Sequence, residues 1–186
     1  MPFTETGIPG LWVFEPKVFE DSRGHFFESY NTQTFLQQGI NIKFVQDNQS
    51  KSSYGVIRGL HFQNPPHAQC KLVRALTGKI LDVAVDIRTG SPTFGKVFSV
   101  ELSADNKKQL FIPGGFAHGF SVLSETAEVL YKCDNYYNKE SEGGILYNDP
   151  SLNIDWQIPA DKAIVSDKDL NNALLEAQTS KFVYQG

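Results

Sequence analysis

The chain is punctuated. Runs of about six to nine residues rich in Val, Ile, Phe and Tyr alternate with clusters of Gly, Pro, Asn and Ser, and this rhythm leaves room for little besides short strands. β-branched and aromatic side chains suit a pleated, half-buried surface, and the intervening residues supply the bends. The runs are "LWVFEPKVF", "IKFVQD", "GVIRGLHF", "CKLVRAL", "KILDVAVDI", "KVFSVEL", "KQLFIP", "AHGFSVLS" and "AEVLYKC". Between them lie "NPP" (64–66), "LTGK" (76–79), "TGSPTFG" (89–95), "SADN" (103–106) and "IPGG" (112–115). In "ILDVAVDIR", Leu81, Val83, Val85 and Ile87 share one parity while Asp82, Ala84, Asp86 and Arg88 share the other. That alternation predicts a half-buried strand of an antiparallel sheet. Helical signals are few. Residues 31–39 offer Asn31 or Thr32 as an N-cap and Gly39 as a stop, and 167–178 predict a C-terminal helix. Many short strands with only peripheral helices predict an all-β sandwich or jelly roll, in which alternate side chains converge on a mouth that can take a ligand. With 186 residues, no repeat and no low-complexity linker, one domain is expected.

Composition narrows the function. The formal net charge is −4, so the surface as a whole does not attract polyanions, and neither nucleic acid nor a membrane surface is the expected partner. No apolar run approaches the roughly 20 residues of a membrane span, and "MPFTETGIPG" has neither the basic nor the apolar region of a signal peptide. Cys70 and Cys133 form no CxxC pair, which predicts free thiols and a cytoplasmic location.

The chemistry-bearing residues gather around "RGLHFQ" (58–63). Strand side chains alternate, so Arg58 and His61 belong on opposite faces unless the strand is irregular. A glycine inside a strand often marks a bulge, and one extra residue restores a common face. Gly59 is therefore expected in or beside a bulge or kink. The alternative leaves Arg58 in an outer-face salt bridge. A metal is the first use for histidines in a jelly roll, but His61 lacks an HxH partner and Lys71 would repel a cation. His25 and His67 read as surface or structural residues. Arg58, His61, Lys71, His118, Tyr131 and the acids of "SDKD" (166–169) supply a base, a phenol, cations and a carboxylate. They form a proton-transfer set if the fold brings them together. In "DSRGHFFESY" (21–30), Arg23, Phe26 and Glu28 fit either an exposed hairpin with paired charges or an arm reaching a neighbouring subunit.

Six motifs in this order, "DSRGHFFE", "VQDNQSKS", "GVIRGLHFQNPPHAQCKLV", "DVAVDIRTGSPTFG", "FIPGGFAHGF" and "LYKCDNYY", closely resemble the dTDP-4-dehydrorhamnose 3,5-epimerase family over about residues 3–175. The resemblance implies a cupin-like jelly roll without a catalytic metal or other cofactor, working as a homodimer. Its substrate would be a dTDP-linked 4-keto-6-deoxy sugar inverted at C3 and C5. It implies His61 as base, Asp169 as the carboxylate that orients it, Lys71 facing O4 and Tyr131 as the acid on the other sugar face. It also implies substrate contacts from Arg58, His118, Gln46, Asn48, Tyr137 (stacking on thymine), Glu142 and Lys168. Arg23, Glu28 and Phe26 would come from the partner. The chain departs from the family at Cys70, where Gly or Ala is frequent, at Gly115, where Glu is common, and at Gln157, where Pro is frequent. None of these belongs to the proton-transfer set. The alternatives are a monofunctional epimerase of a related keto-sugar, a non-catalytic carbohydrate binder, and a metal-dependent cupin, which the missing HxH pair disfavours.

Overall fold

In the computed structural model, which describes residues 2–178 and 180–185, the apolar runs become strands and the Gly/Pro clusters become their connections. The strands are β1 (Phe3–Glu5), β2 (Trp12–Phe14), β3 (Phe19–Asp21), β4 (Gly24–Phe26), β5 (Gln46–Ser53), β6 (Val56–Gln63), β7 (Lys71–Thr77), β8 (Lys79–Asp86), β9 (Val97–Ser103), β10 (Gln109–Ile112), β11 (Phe116–Val122), β12 (Thr126–Cys133), β13 (Glu142–Gly144) and β14 (Ile164–Val165). Two short helices, α1 (Thr32–Gln37) and α2 (Asp167–Leu170), lie outside the sheets.

One sheet runs β1-β2-β10-β7-β12-β5 and the other β13-β6-β11-β8-β9. The neighbours in both sheets are antiparallel, while β14 lies parallel to the start of β6. This is the expected cupin-like jelly roll. The β3–β4 hairpin pairs only with itself.

Inward side chains of both sheets, among them Val73, Ile80, Leu102, Leu110 and Phe120, form the central core. Each such side chain taken fully out of water contributes about 1.5–3 kcal/mol before entropy is counted. A second cluster, with Leu60, Val83, Ile145 and Trp156, covers the back of the β6–β8 sheet. A third, around Phe35 of α1 and Leu72, covers the back of the other.

The structure revises several expectations. β8 is buried on both faces, because Leu81, Val83 and Val85 pack under the chain that follows β13 while Asp82 and Asp86 point inward. Asp86 is satisfied there by Arg88, Ser91 and Thr93, at 2.6–2.8 Å. "LWVFEPKVF" is two strands, interrupted around Pro16. Ile42 and Phe44 pack on the α1 cluster rather than joining β5. The C-terminal helix stops at Leu170, with only a 3-10 turn at Leu175–Ala177. Bonds to the rest of the fold outcompete the helical ladder there: Ala173 O accepts from Leu146 N at 2.8 Å, and Leu175 N donates to Asp149 Oδ2 at 2.6 Å. The helix expected at 31–39 forms over Thr32–Gln37, with the Asn31 side chain accepting from Gln33 N and Gly39 at φ +83°.

Candidate active site

β6 delivers two of the site's groups, and a bulge makes this possible. His118 of β11 stands opposite His61, and Phe120 stands opposite Arg58, so two residues of β6, Gly59 and Leu60, face one of β11, Gly119. Gly59 absorbs the difference at φ +127°. A Cβ there would lie 2.6 Å from Gly119 Cα, and one on Gly119 would lie 2.6 Å from Arg58 O, so the two backbones meet only because both residues lack side chains. Ile57 and Leu60 then face the outer cluster, while Arg58 and His61 both line the cavity. Arg58 Nε donates to Ser52 Oγ at 3.1 Å, so the outer-face salt bridge is not what forms.

The cavity is about 510 Å³, and Arg58, His61, His118, Tyr131, Lys168 and Asp169 contribute to its wall. His61 Nε2 is 2.6 Å from Asp169 Oδ1. Burial pushes the Asp169 carboxyl up, but the bond and charge of His61, with donors from Gly59 N and Ser166 Oγ, together hold it below the ordinary carboxylate range. An ionised carboxylate only accepts, so Nε2 carries the hydrogen and Nδ1 keeps a free lone pair. His118 makes a second pair, with Nε2 at 2.8 Å from Asp82 Oδ1. Burial lowers His118, with Lys71 and His61 adding to the effect and Asp82 opposing it, so this imidazole is neutral near pH 7.

Tyr131 faces these pairs from β12 in the opposite sheet, half-buried against the core. Burial raises its phenol, with Cys133 adding and Arg58 opposing, so it is held in the protonated, donor form. Lys71 stands beside it, Nζ 5.8 Å from the ring centroid, but is not among the residues that line the cavity. Burial lowers its ammonium, while Cys133, Asp82 and Glu142 favour the charge. Gln46 and Asn48 share one face of β5, opposite Cys133 and Tyr131 respectively, and are bonded to each other at 3.0 Å. Glu142 accepts from Lys168 Nζ at 2.5 Å and from the Tyr137 hydroxyl at 3.2 Å. Burial pushes the Cys70 thiol up to about 12 and the Cys133 thiol up to about 11, so neither is a nucleophile at neutral pH.

Arg23, Phe26 and Glu28 do not join this cavity. They sit on and after the exposed hairpin, where Arg23 pairs with Asp21 at 2.5 Å and Glu28 accepts from Asn31 at 3.1 Å. The expected pairing of Arg23 with Glu28 therefore does not form. His67 bonds Ser141 Oγ at 2.9 Å, and His25 stacks near Phe27 on the hairpin, both outside the site. Among the described residues, no three His, Cys, Asp or Glu side chains are grouped to hold a metal ion, and no helix is long and apolar enough to cross a membrane.

Sequence reasoning missed Asp82, Ser52 and Ser166. The signal for Asp82 was present, as an acid at the centre of an otherwise apolar run. Ser52 and Ser166 carry no such mark.

Frame and cavity together define a cupin-like jelly-roll enzyme that moves protons. The model of the dTDP-4-dehydrorhamnose 3,5-epimerase family matches residues 5–177, and the chain belongs to that family. A relative from Shigella flexneri, named dTDP-4-dehydrorhamnose 3,5-epimerase, is 56% identical over 172 residues, covering 92% of this chain and 94% of its own. A Legionella pneumophila dTDP-6-deoxy-D-glucose-3,5-epimerase, solved with dTDP-4-keto-L-rhamnose, superposes with a TM-score of 0.94 at 47% identity, over 99% of this chain and 98% of that one. A 3'-monoepimerase from Streptomyces bikiniensis, solved with dTDP-quinovose, is more distant, with a TM-score of 0.84, 32% identity and coverage of 91% and 86%.

Proposed function

We propose that this isomerase inverts C3 and C5 of dTDP-4-dehydro-6-deoxy-D-glucose, giving dTDP-4-dehydro-L-rhamnose in dTDP-L-rhamnose biosynthesis. Both carbons adjoin the C4 ketone, so loss of either proton gives an enolate and the reaction calls on no cofactor. His61 Nδ1 takes the proton from carbon, and the C–H electron pair passes into the ketone to leave charge on O4. Asp169 stabilises the resulting imidazolium. The Lys71 ammonium faces the O4 charge, where a preorganised cation contributes on the order of 3 kcal/mol. Tyr131 returns a proton to the opposite face of the same carbon and is reprotonated from solvent, as His61 is deprotonated to it. A second cycle inverts the other carbon.

One observation carries this reading: a carboxylate-bound imidazole and a phenol line one cavity from opposite sheets. Arg58 and His118 serve the sugar and diphosphate, with the Arg58 fork suited to phosphate oxygens. Gln46, Asn48, Glu142 and Lys168 supply further polar contacts, and the exposed Tyr137 ring takes the thymine. The single domain works as a cytoplasmic homodimer. The hairpin of residues 19–26, bonded to neither sheet, carries Arg23 and Phe26 to the partner's site, with Glu28 following.

Incubation with dTDP-4-keto-6-deoxyglucose in deuterated water tests the reading. Deuterium at both C3 and C5 is the expected result. Deuterium at one carbon gives the monofunctional reading, which the likeness to the 3'-monoepimerase makes the alternative. No deuterium leaves a binding protein.

A further inference from the structure

Asp169 is an unusually remote support for the imidazole it orients. It lies 108 residues away in sequence, on a helix of four residues, yet its side chain is 4% exposed and bonds at 2.6 Å. A single helical turn does not hold itself. Two contacts on Asp169 itself help: Ser166 caps the turn by accepting from Asp169 N at 3.2 Å, and Gly59 N, at the bulge, donates to Oδ2 at 3.1 Å.

A third restraint comes through the neighbouring residue. Lys168 Nζ lies 2.5 Å from Glu142 Oε1, and Glu142 begins β13, whose register sets it opposite Gln63 and sets Gly144 opposite His61. The ion pair therefore ties the turn bearing Asp169 to the strand that flanks the base. Burial pushes the Glu142 carboxyl up, but Lys168, Tyr137 and His61 outweigh it and hold the group ionised at neutral pH. The other Glu142 oxygen takes the hydroxyl of Tyr137, whose ring is 56% exposed. An exposed ring, a carboxylate, an ammonium and the carboxylate that orients the base thus form one continuous chain of contacts.

We propose that the Glu142–Lys168 pair is a positioning clamp, which sets Asp169 against His61 and, through Tyr137, links that setting to a nucleobase stacked on the exposed ring. The inference rests on the epimerase reading of this cavity. On this account Glu142 and Lys168 move no protons in the reaction; they act through Asp169.

The test compares Lys168→Met and Glu142→Gln with Lys168→Arg in the full chain, using three measurements. Solvent-deuterium exchange at saturating dTDP-4-keto-6-deoxyglucose should slow about tenfold in the Met and Gln variants, since small misplacements of a catalytic group cost rates of this order or more. Titration with dTDP reads the contacts that both side chains also make with substrate and sets the concentration that saturates each variant, so that exchange is compared with every site filled. Lys168→Arg should recover most of the rate, because a guanidinium still reaches the carboxylate. Proton NMR reads the clamp without turnover: the downfield His61 Nε2–H resonance, assigned by its absence in His61→Asn, should broaden or vanish in Lys168→Met and persist in Lys168→Arg. Unchanged saturated exchange with weakened dTDP affinity makes the pair a ligand contact only and overturns the proposal. A resonance that persists in Lys168→Met also overturns it. A wild-type chain that exchanges no deuterium sinks the epimerase reading instead, and the resonance alone then decides the clamp.

Discussion

Two imidazole–carboxylate pairs face one cavity and are built in opposite ways. His118 and Asp82 come from adjacent strands, where His118 stands opposite Ala84 and Asp82 opposite Phe120, a diagonal that the antiparallel ladder sets. Their side chains are 8% and 0% exposed. His61 is 33% exposed and takes its carboxylate from a short turn near the other end of the chain. The difference separates two jobs. A pair locked in a ladder holds shape and a fixed tautomer but has little room to move. On the proposed reading, a base that meets carbon acids on a bound sugar needs access to the cavity, and here its carboxylate comes from a separate four-residue turn. The interior pair should therefore carry the larger share of stability, with His118 also presented to the substrate, and the mouth pair the proton transfer.

The largest expected effect is on turnover. His61→Asn should slow deuterium exchange by about 10²–10⁴-fold, the range for losing a positioned base, while dTDP still binds. Its urea midpoint should correspond to a change within about 1 kcal/mol, as for other partly exposed positions. A larger stability loss there would erase the distinction. Next comes His118→Leu, which strands the buried Asp82 carboxylate. Asp82 Oδ2 already has no partner among the described residues, so Oδ1 would lose the pair's hydrogen bond as well. A loss of about 3 kcal/mol in urea unfolding is expected. An unfolding curve that superposes on wild type would show the interior pair to be no more structural than the outer one.

The same contrast governs what the sequence made legible. The jelly roll was readable because strand period and turn chemistry are local. The placement of Arg58 and His61 on one face was readable because Gly59 in mid-strand has few other uses, and the bulge is where expected. The interior pair was half legible. His118 stood out among apolar residues, but parity alone assigned Asp82 to a solvent face, and only a second covering layer, built by residues such as Ile145, Leu152 and Trp156, puts both faces of β8 indoors. That layer is a tertiary fact with no period of its own. The mouth pair was the reverse. Nothing local links Asp169 to His61, and the helix expected at 167–178 obscured the short turn that joins them. The association came from family resemblance, and the 2.6 Å contact supplies its geometry.

Gly59→Ala comes third in size and bears on both pairs at once, since His61 pairs with His118 across the bulge. An alanine at φ +127° is strained, and its Cβ would meet Gly119 Cα at 2.6 Å. A loss of about 2 kcal/mol is expected from such a conformation. Deuterium exchange should fall with it, because relieving the contact moves Arg58 and His61 out of common register. Retained exchange at reduced stability would mean that the site tolerates a looser bulge than its packing suggests.

The smallest effect is the slope of stability with pH, and it separates the pairs by sign and window. His118 faces Asp82, Lys71 and His61, and its folded value lies below the ordinary 6.5 chiefly through burial. The unfolded chain therefore binds this proton first as pH falls. Stability from a neutral His118 is complete above about 6.5 and is lost as pH descends through the folded value. Asp169 is also depressed, from 3.8, so its contribution is complete above that value and is lost only in stronger acid. One proton contributes at most about 1.4 kcal/mol per pH unit. Urea midpoints of wild type should thus fall between pH 7 and 5. The His118→Leu chain should lose much of that slope, and an Asp169→Asn chain should keep it while losing slope below pH 4. If the slope between pH 7 and 5 survives His118→Leu and disappears in Asp169→Asn, the mouth pair is the one that couples protons to folding, and the division between a structural interior pair and a working outer one is reversed.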